Sequence, residues 1–316
     1  MIIRMADSGD ALSERAEQAM RLAVSAGRRL GLRALEPRVL HDVFNVLVHL
    51  APDPVVVRVP TLALAPAAEQ AGRQRRELAV AGWLADRGAP VVPPSPLVPR
   101  EPVECGGMSL TFWQYVDERD PIATAPPDEL EDRFVEQTGW VAELHRFMAG
   151  YPGELPVLAP LVPGTALSLA ELRRRPGILT TADLDRAERE NAVVEALARD
   201  LPGSFPGARL QAVHGDSPPY NVLLTAGGHL FSDFEDVTLG PVEWDLAGAG
   251  PRAVEAYERA GGGPVNRSLL AFMEGARLLQ AVAALALAGR MPELTAMLEP
   301  LVIQWRAQPP LELPSS

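Results

Sequence analysis

The sequence predicts an α+β chain with two lobes, a small antiparallel-sheet N-terminal lobe and a larger, mainly helical C-terminal lobe. Three observations predict this. Short β-rich runs separated by proline turns crowd into residues 39–59. Helical spacing of apolar residues dominates beyond residue 126. A block of short strands interrupts that helical part at residues 210–232. Apolar period, 2 or 3.6, is the primary signal for each element type. The lobes are placed at residues 1–116, with an N-terminal helix included, and 117–316. The 316 residues suit two moderate domains at roughly 100–200 residues each.

The elements follow in order. Residues 10–30 carry apolar positions at helical spacing. Val39-Leu40, residues 45–50 and residues 55–59 are β-rich, and Ala51-Pro52-Asp53-Pro54 joins the last two as a turn. Residues 67–87 return to helix, with Leu78, Val80, Ala81 and Leu84 on one side, and the proline-rich stretch 88–102 ends it. Residues 108–116 read as a strand. Pro126-Pro127 opens a helix with acidic residues in its first turn. Residues 152–176 form a proline-interrupted excursion, and 184–199 a charged helix. Three short strands follow at 210–213, 221–224 and 229–232, the last two joined by Ala226-Gly227-Gly228. Helices complete the chain, with breaks at 261–264 and near Pro292. The tail, 308–316, carries three prolines and is expected to fray.

Composition excludes several chemistries. All 29 basic residues are arginine, so no lysine can form a Schiff base or serve a G-x-x-x-x-G-K phosphate loop. Against 41 acidic residues the formal charge is −12, which argues against nucleic acid as a partner. Cys105 is the lone cysteine, so no intrachain disulfide or multi-cysteine zinc site forms. The longest apolar stretch, 269–287, contains Glu274, Arg277 and Gln280, and reads as a buried helix rather than a membrane span. The start lacks a signal-peptide pattern, so a cytoplasmic location is expected. Oligomeric state is not read from the sequence.

The most informative segment is 214–245, HGDSPPYNVLLTAGGHLFSDFEDVTLGPVEWD. Asp216 sits at a strand end before a Ser-Pro-Pro turn. Asn221 begins the next strand, and the following hairpin returns Asp233 to its neighbourhood. An amide oxygen and a carboxylate are hard ligands suited to Mg²⁺, which keeps waters and substrate phosphates in its shell. A further carboxylate, Asp216, is then free to orient an attacking hydroxyl. Each of these residues could singly be a turn cap, but caps do not explain their joint spacing.

H-G-D-x-x-x-x-N, a hairpin and then D-F-E-D resemble the aminoglycoside phosphotransferase and choline kinase group of enzymes with a protein-kinase-like fold. Gly240-Pro241 and Asp245-Leu246-Ala247 resemble the stretch that follows in that group. The resemblance implies Mg²⁺-dependent transfer of a γ-phosphoryl group from ATP or GTP to a hydroxyl of a small molecule. It makes Asp216 the catalytic base or hydroxyl positioner, Asn221 and Asp233 the metal ligands, and His214 and Asp245 supports of the loop. In the first lobe it gives the phosphate contact to Arg58, in place of the usual lysine, held by Glu77. Glu69 is the substitute for Glu77. Gln114, Tyr115 and Val116 would run beside the purine. Glu235, Asp236, Glu243 and Glu274 would form an acidic pocket for an amine-bearing or sugar acceptor, or else are solvated charges. Neither nucleic acid nor membrane is an expected partner.

Two departures stand out. The loop Leu40-His41-Asp42-Val43-Phe44-Asn45 has no glycine for close backbone approach to phosphates. Arginine replaces lysine at the phosphate-contact strand, which keeps the charge but changes the geometry. They motivate a rival reading, a nucleotide-binding pseudokinase scaffold. A metal-dependent hydrolase is a second rival, and it would not need Arg58 and Glu77.

Overall fold

Val55–Val59 is buried at all five positions in the computed structural model, and this run of four valines and one arginine is the central strand of a sheet. The structure describes residues 12–62, 67–121, 125–175, 177 and 179–314. The chain divides into two units, residues 1–134 with 218–235, and residues 135–217 with 236–316.

The first unit opens with α1 (Glu14–Arg29), and Ser13 Oγ caps it by accepting from Ala16 N. Residues 10 and 11 of the expected helix lie outside the described residues. Small residues, Ala16, Ala19, Ala23, Ala26 and Gly27, form the buried face of α1. That face lets the helix approach the sheet closely, since a Cβ on Gly27 would lie 2.5 Å from Leu50 Cδ1. The sheet comprises β1 (Glu36–Asp42), β2 (Val46–Ala51), β3 (Val55–Val59), β4 (Val103–Cys105) and β5 (Met108–Gln114). Its order is β1-β2-β3-β5-β4 and its pairs are antiparallel. The expected strands at 39–40, 45–50 and 55–59 are therefore present as an antiparallel set, and β4 is an addition too short to show a period. The second helix, α2 (Ala67–Ala85), buries Leu78, Val80, Ala81 and Leu84, and also Gln74 and Glu77.

The hairpin β7 (Val222–Thr225) and β8 (Gly228–Phe231) belongs to this first unit. Backbone bonds explain why. Val92 N donates to Phe231 O and Phe231 N to Pro90 O, both at 2.8 Å. Residues 90–92 of the proline-rich stretch thus serve as a partner for a hairpin 130 or more positions later in sequence.

The second unit is mainly helical. It holds most of α3 (Pro127–Met148), then α4 (Leu161–Arg174), α5 (Thr181–Arg199), a short α6 (Leu201–Ser204), α7 (Val242–Leu246), α8 (Pro251–Tyr257), α9 (Arg267–Ala284) and α10 (Glu293–Ala307). A capping box of Thr180 and Asp183 starts α5, and Asn266 caps α9. The strand β6 (Gln211–Val213) pairs with β9 (Thr238–Gly240), not with the hairpin it precedes. Residues 267–287 are long and apolar enough to cross a membrane, but 67% of that window is buried inside the protein, as the charged residues within it suggest.

Two expectations are corrected. The proline-interrupted excursion contains a helix, α4, because residues 164–174 hold no proline and keep helical spacing. The tail does not fray within the described residues. Arg186 donates to the carbonyls of Arg306, Gln308 and Pro309, and Leu311 N donates to Glu190. The same Arg186 stacks over Trp305 at 4.3 Å and pairs with buried Glu190, which also accepts from the Trp305 indole. Replacing Arg186 by Met leaves Glu190 without its cation and should cost about 3 kcal/mol, read as a lowered thermal midpoint. The tail beyond residue 307 should also become more sensitive to protease.

Candidate active site

In the first unit the site is built around Arg58. The side chain is 5% exposed on β3, where strand register pairs it with Leu47 and Thr111. An isolated guanidinium is not stable there, because desolvation opposes the charged form. Carboxylates from two other segments meet it. Glu77, fully buried on α2, pairs with Nη2. Asp233, just past β8, accepts from Nη1 at 2.6 Å. Glu235 Oε2 lies 3.8 Å from Nη1, and the Trp113 ring centre is 5.7 Å from the guanidinium carbon. Burial works to lower the pKa of Arg58, but Glu77, Glu235 and Asp233 outweigh it and hold the group above the usual arginine value. Glu69, the alternative partner, is exposed near the start of α2, whereas Glu77 pairs with Arg58.

The hairpin brings Asn221 and Asp233 together as its spacing suggests. Ser232 N donates to Asn221 O at 2.8 Å. Asn221 is buried, and Asp233 adopts φ +64°, a region that Asp tolerates better than most residues. No group of three or more His, Cys, Asp or Glu suited to a metal occurs among the described residues. The donor set nevertheless fits Mg²⁺, which needs only one or two protein oxygens when phosphates complete its shell. The charge count agrees. One arginine faces three carboxylates, Glu77, Asp233 and Glu235, a net of about −2 if all are ionised, suited to a divalent cation.

At the end of β5, Gln114 N donates to Pro93 O, Tyr115 N to Pro54 O, and Val116 O accepts from Glu118 N. The Tyr115 ring stacks on His49, with centroids 3.9 Å apart. Gln114 itself is exposed.

In the second unit the buried carboxylate of Asp245, on α7, organises the loop after β6. It accepts from His214 N at 2.7 Å, Gly215 N at 2.8 Å and His145 Nε2 at 2.9 Å. A carboxylate only accepts here, so His145 carries its proton on Nε2, and its Nδ1 accepts from Tyr257 Oη at 2.9 Å. Burial alone would raise the pKa of Asp245, but the hydrogen bonds from His145 and from the amide of Gly215 hold it below the usual carboxylate value. Burial, with the charges of Asp245 and Glu243, pushes the Tyr257 phenol well up. His214 is fully buried and its Nδ1 accepts from Asp216 N at 3.4 Å. The Asp216 side chain is 37% exposed, and Arg277 Nη1 lies 4.0 Å from it.

The four acidic residues expected around an acceptor fall into different settings. Glu235 stands beside Arg58 in the first unit. Asp236, Glu243 and Glu274 belong to the second. Glu243 is buried, with a carboxyl pushed up by that burial, and accepts from Asn266 N at 2.8 Å, joining α7 to the start of α9. Glu274 is half-buried on α9. His145, Tyr257 and Trp244 escaped the sequence reading, since histidines and aromatics on apolar helix faces look like ordinary core. Arg277 stood out only as one of the polar residues within the apolar stretch 269–287.

Residues 38–285 match the model of the phosphotransferase enzyme family, APH. The chain belongs to that family. Membership makes it a phosphotransferase. No curated protein matches the sequence. Among solved structures, a choline/ethanolamine kinase family protein from Mesorhizobium loti is 17% identical, with 93% of this chain and 94% of that one covered and a TM-score of 0.60. Amicoumacin kinase hAmiN in complex with AMP-PNP, Ca²⁺ and Ami is 11% identical over 95% and 97% of the two chains, with a TM-score of 0.64. The GDP and kanamycin complex of APH(2")-IIia is 16% identical over 91% and 99%, with a TM-score of 0.58. These likenesses establish the kinase-like fold that the sequence predicted.

Two predictions follow from the buried charges. Glu77→Leu removes the fully buried partner of Arg58 and leaves Nη2 without its carboxylate, which should destabilise the protein by about 3 kcal/mol, while Arg58→Met with Glu77→Leu should restore most of the loss, as measured by urea unfolding. The second concerns Asp245, whose folded pKa is depressed. Its contribution is fully present above the unfolded carboxylate value near pH 4 and is lost as pH falls through the lower folded value. Asp245→Asn should therefore be less stable at pH 7 and lose stability less steeply below about pH 4, as followed by urea midpoints across that range.

Proposed function

We propose that this enzyme transfers the γ-phosphoryl group of ATP or GTP, with Mg²⁺, to a hydroxyl of a small amine- or sugar-bearing molecule. The observation that carries the reading is the Arg58 cluster, a buried cation on the central strand met by a helix carboxylate and by the aspartate that ends the hairpin. A cation whose only task was structural would not need a strand centre, where burial opposes it. The reading is supported by relatives solved with GDP and kanamycin and with AMP-PNP, Ca²⁺ and Ami.

In this reading Arg58 grips the donor phosphates, and Glu77 fixes its guanidinium plane. Asn221 and Asp233 would hold the metal, which supplies neutralisation of phosphate charge when bound. Asp216 accepts a hydrogen bond from the acceptor hydroxyl and takes its proton. The acceptor oxygen bonds to the γ-phosphorus as the bond to the β-bridging oxygen breaks, and the nucleoside diphosphate leaves. Rate enhancement comes from positioning and fixed charges rather than covalent chemistry.

A phosphate-transfer screen against aminoglycosides, choline-like amines, sugars and macrolides, with ATP and with GTP, tests the reaction class. With any accepted pair, Asp216→Asn should lower kcat by at least about a thousandfold and leave nucleotide binding intact by calorimetry. Full turnover in that variant would overturn the assignment. Nucleotide binding without transfer in the parent enzyme would favour a scaffold.

A further inference from the structure

Arg277, with its side chain 18% exposed, lies on α9, a helix whose buried side chains are apolar. Burial pulls its pKa below the usual arginine value, against the charges of Asp216, Asp245 and Asp236. Its contacts nonetheless keep a guanidinium there. It stacks on the buried Trp244 ring at 3.6 Å. Nη2 donates to Trp244 O at 3.0 Å, and Nη1 to Gly215 O at 3.2 Å and Gln280 Oε1 at 2.9 Å. Nη1 also lies 4.0 Å from Asp216 Oδ1.

Gly215 is therefore held at both polar ends. Its N–H donates to Asp245, and its carbonyl accepts from Arg277. It sits at φ +93°, and a Cβ there would collide with the Asp236 carbonyl, so no other residue fits. Ser217, two positions on, is also left-handed at φ +39°. Between these two unusual backbones stands Asp216, so the direction of its side chain follows from how firmly the Gly215 peptide is pinned.

Resting on the phosphotransfer reading above, we propose that Arg277 is a positioning residue for Asp216. It fixes the Gly215 carbonyl, ties it to α7 through Trp244, and places a positive charge beside the Asp216 carboxylate. Its contacts are with Trp244, Gly215, Gln280 and Asp216, all in the second unit. Its loss should therefore appear in kcat and not in nucleotide affinity. Planarity matters as well as charge, because one guanidinium spans two carbonyls and a ring face, which an ammonium cannot.

The test compares Arg277→Met, Arg277→Lys and the control Arg186→Met, which removes another arginine stacked on a tryptophan in the same unit. Arg277→Met should lower kcat about a hundredfold, with the nucleotide KM within about threefold of the parent. Arg277→Lys should recover about tenfold of that loss, since it keeps the charge without the fork. Arg186→Met should lower the thermal midpoint and leave kcat unchanged. Hydrogen exchange gives a readout without turnover. The His214 and Gly215 amides, which donate to Asp245, should exchange at least about tenfold faster in Arg277→Met, while amides of α5 and α10 keep their protection. Unchanged kcat, a lysine variant no better than methionine, or faster exchange spread evenly over the second unit would each overturn the proposal. Should Arg277→Met not fold, the lysine variant carries the same measurements, and parent-like kcat and exchange in it would overturn the role of the fork. If the parent enzyme transfers no phosphoryl group to any acceptor, the phosphotransfer reading fails, and the exchange data still decide whether Arg277 pins the loop.

Discussion

A charge taken out of water must be met inside the protein, and both units of this chain are organised by that constraint. Arg58 lies on the central strand of the sheet, where all five strand residues are buried. Its partners come from α2 and from the segment after β8. One guanidinium thereby draws together three segments separated by 19 and 175 positions in sequence. The second unit uses the opposite sign. The Asp245 carboxylate is met by donors from α3 and from the loop after β6. Breaking either cluster strands a buried charge, which costs more than any single apolar contact in the same place.

The absence of lysine shapes the first of these clusters. A lysine ammonium is a compact charge on a flexible stem, whereas the guanidinium offers separate nitrogens in a fixed plane. Here Nη2 serves Glu77 while Nη1 serves Asp233 and approaches Glu235. The fork thus links the strand, the helix and the hairpin end in one geometry. Arginine at this position is a consistent solution for a chain with no lysine, rather than an isolated defect in the site.

Local signals were legible in the sequence, and pairings between distant segments were not. The run Val55–Val59, the apolar face of α2 and the hairpin turn at Gly227-Gly228 all carry their period or turn chemistry within a few residues. The spacing of His214, Asp216, Asn221, Asp233 and Asp245 is likewise a pattern within one short segment. By contrast β4 and β9 are three residues each, too short for any period to register, and β6, expected as a strand, pairs with the unforeseen β9. The bonding of residues 90–92 to Phe231 uses backbone atoms that every residue has, so side-chain identity could not announce it. The tail was misread for a related reason. Its prolines correctly forbid a helix, but Arg186 holds its carbonyls, and those acceptors are invisible in composition. His145 and Tyr257 were missed because only the position of Asp245 distinguishes them from core residues.

The glycine of the H-G-D motif shows what a structure adds to such a pattern. In sequence Gly215 is a small residue between two functional ones. In the fold it has a left-handed backbone, no room for a Cβ against the Asp236 carbonyl, an amide bound to one buried charge and a carbonyl bound to another. Asp233 also has a left-handed backbone and carries a charge-paired carboxylate. Sparsely populated backbone conformations are unfavourable unless neighbouring structure enforces them. Glycine adopts its conformation at 215 without strain, with Asp245 and Arg277 bonded to its amide and carbonyl, and at Asp233 the charge partner is Arg58. Gly215 meets that demand by residue type, while at Asp233 the unfavourable backbone coincides with a carboxylate paired to the buried Arg58 charge.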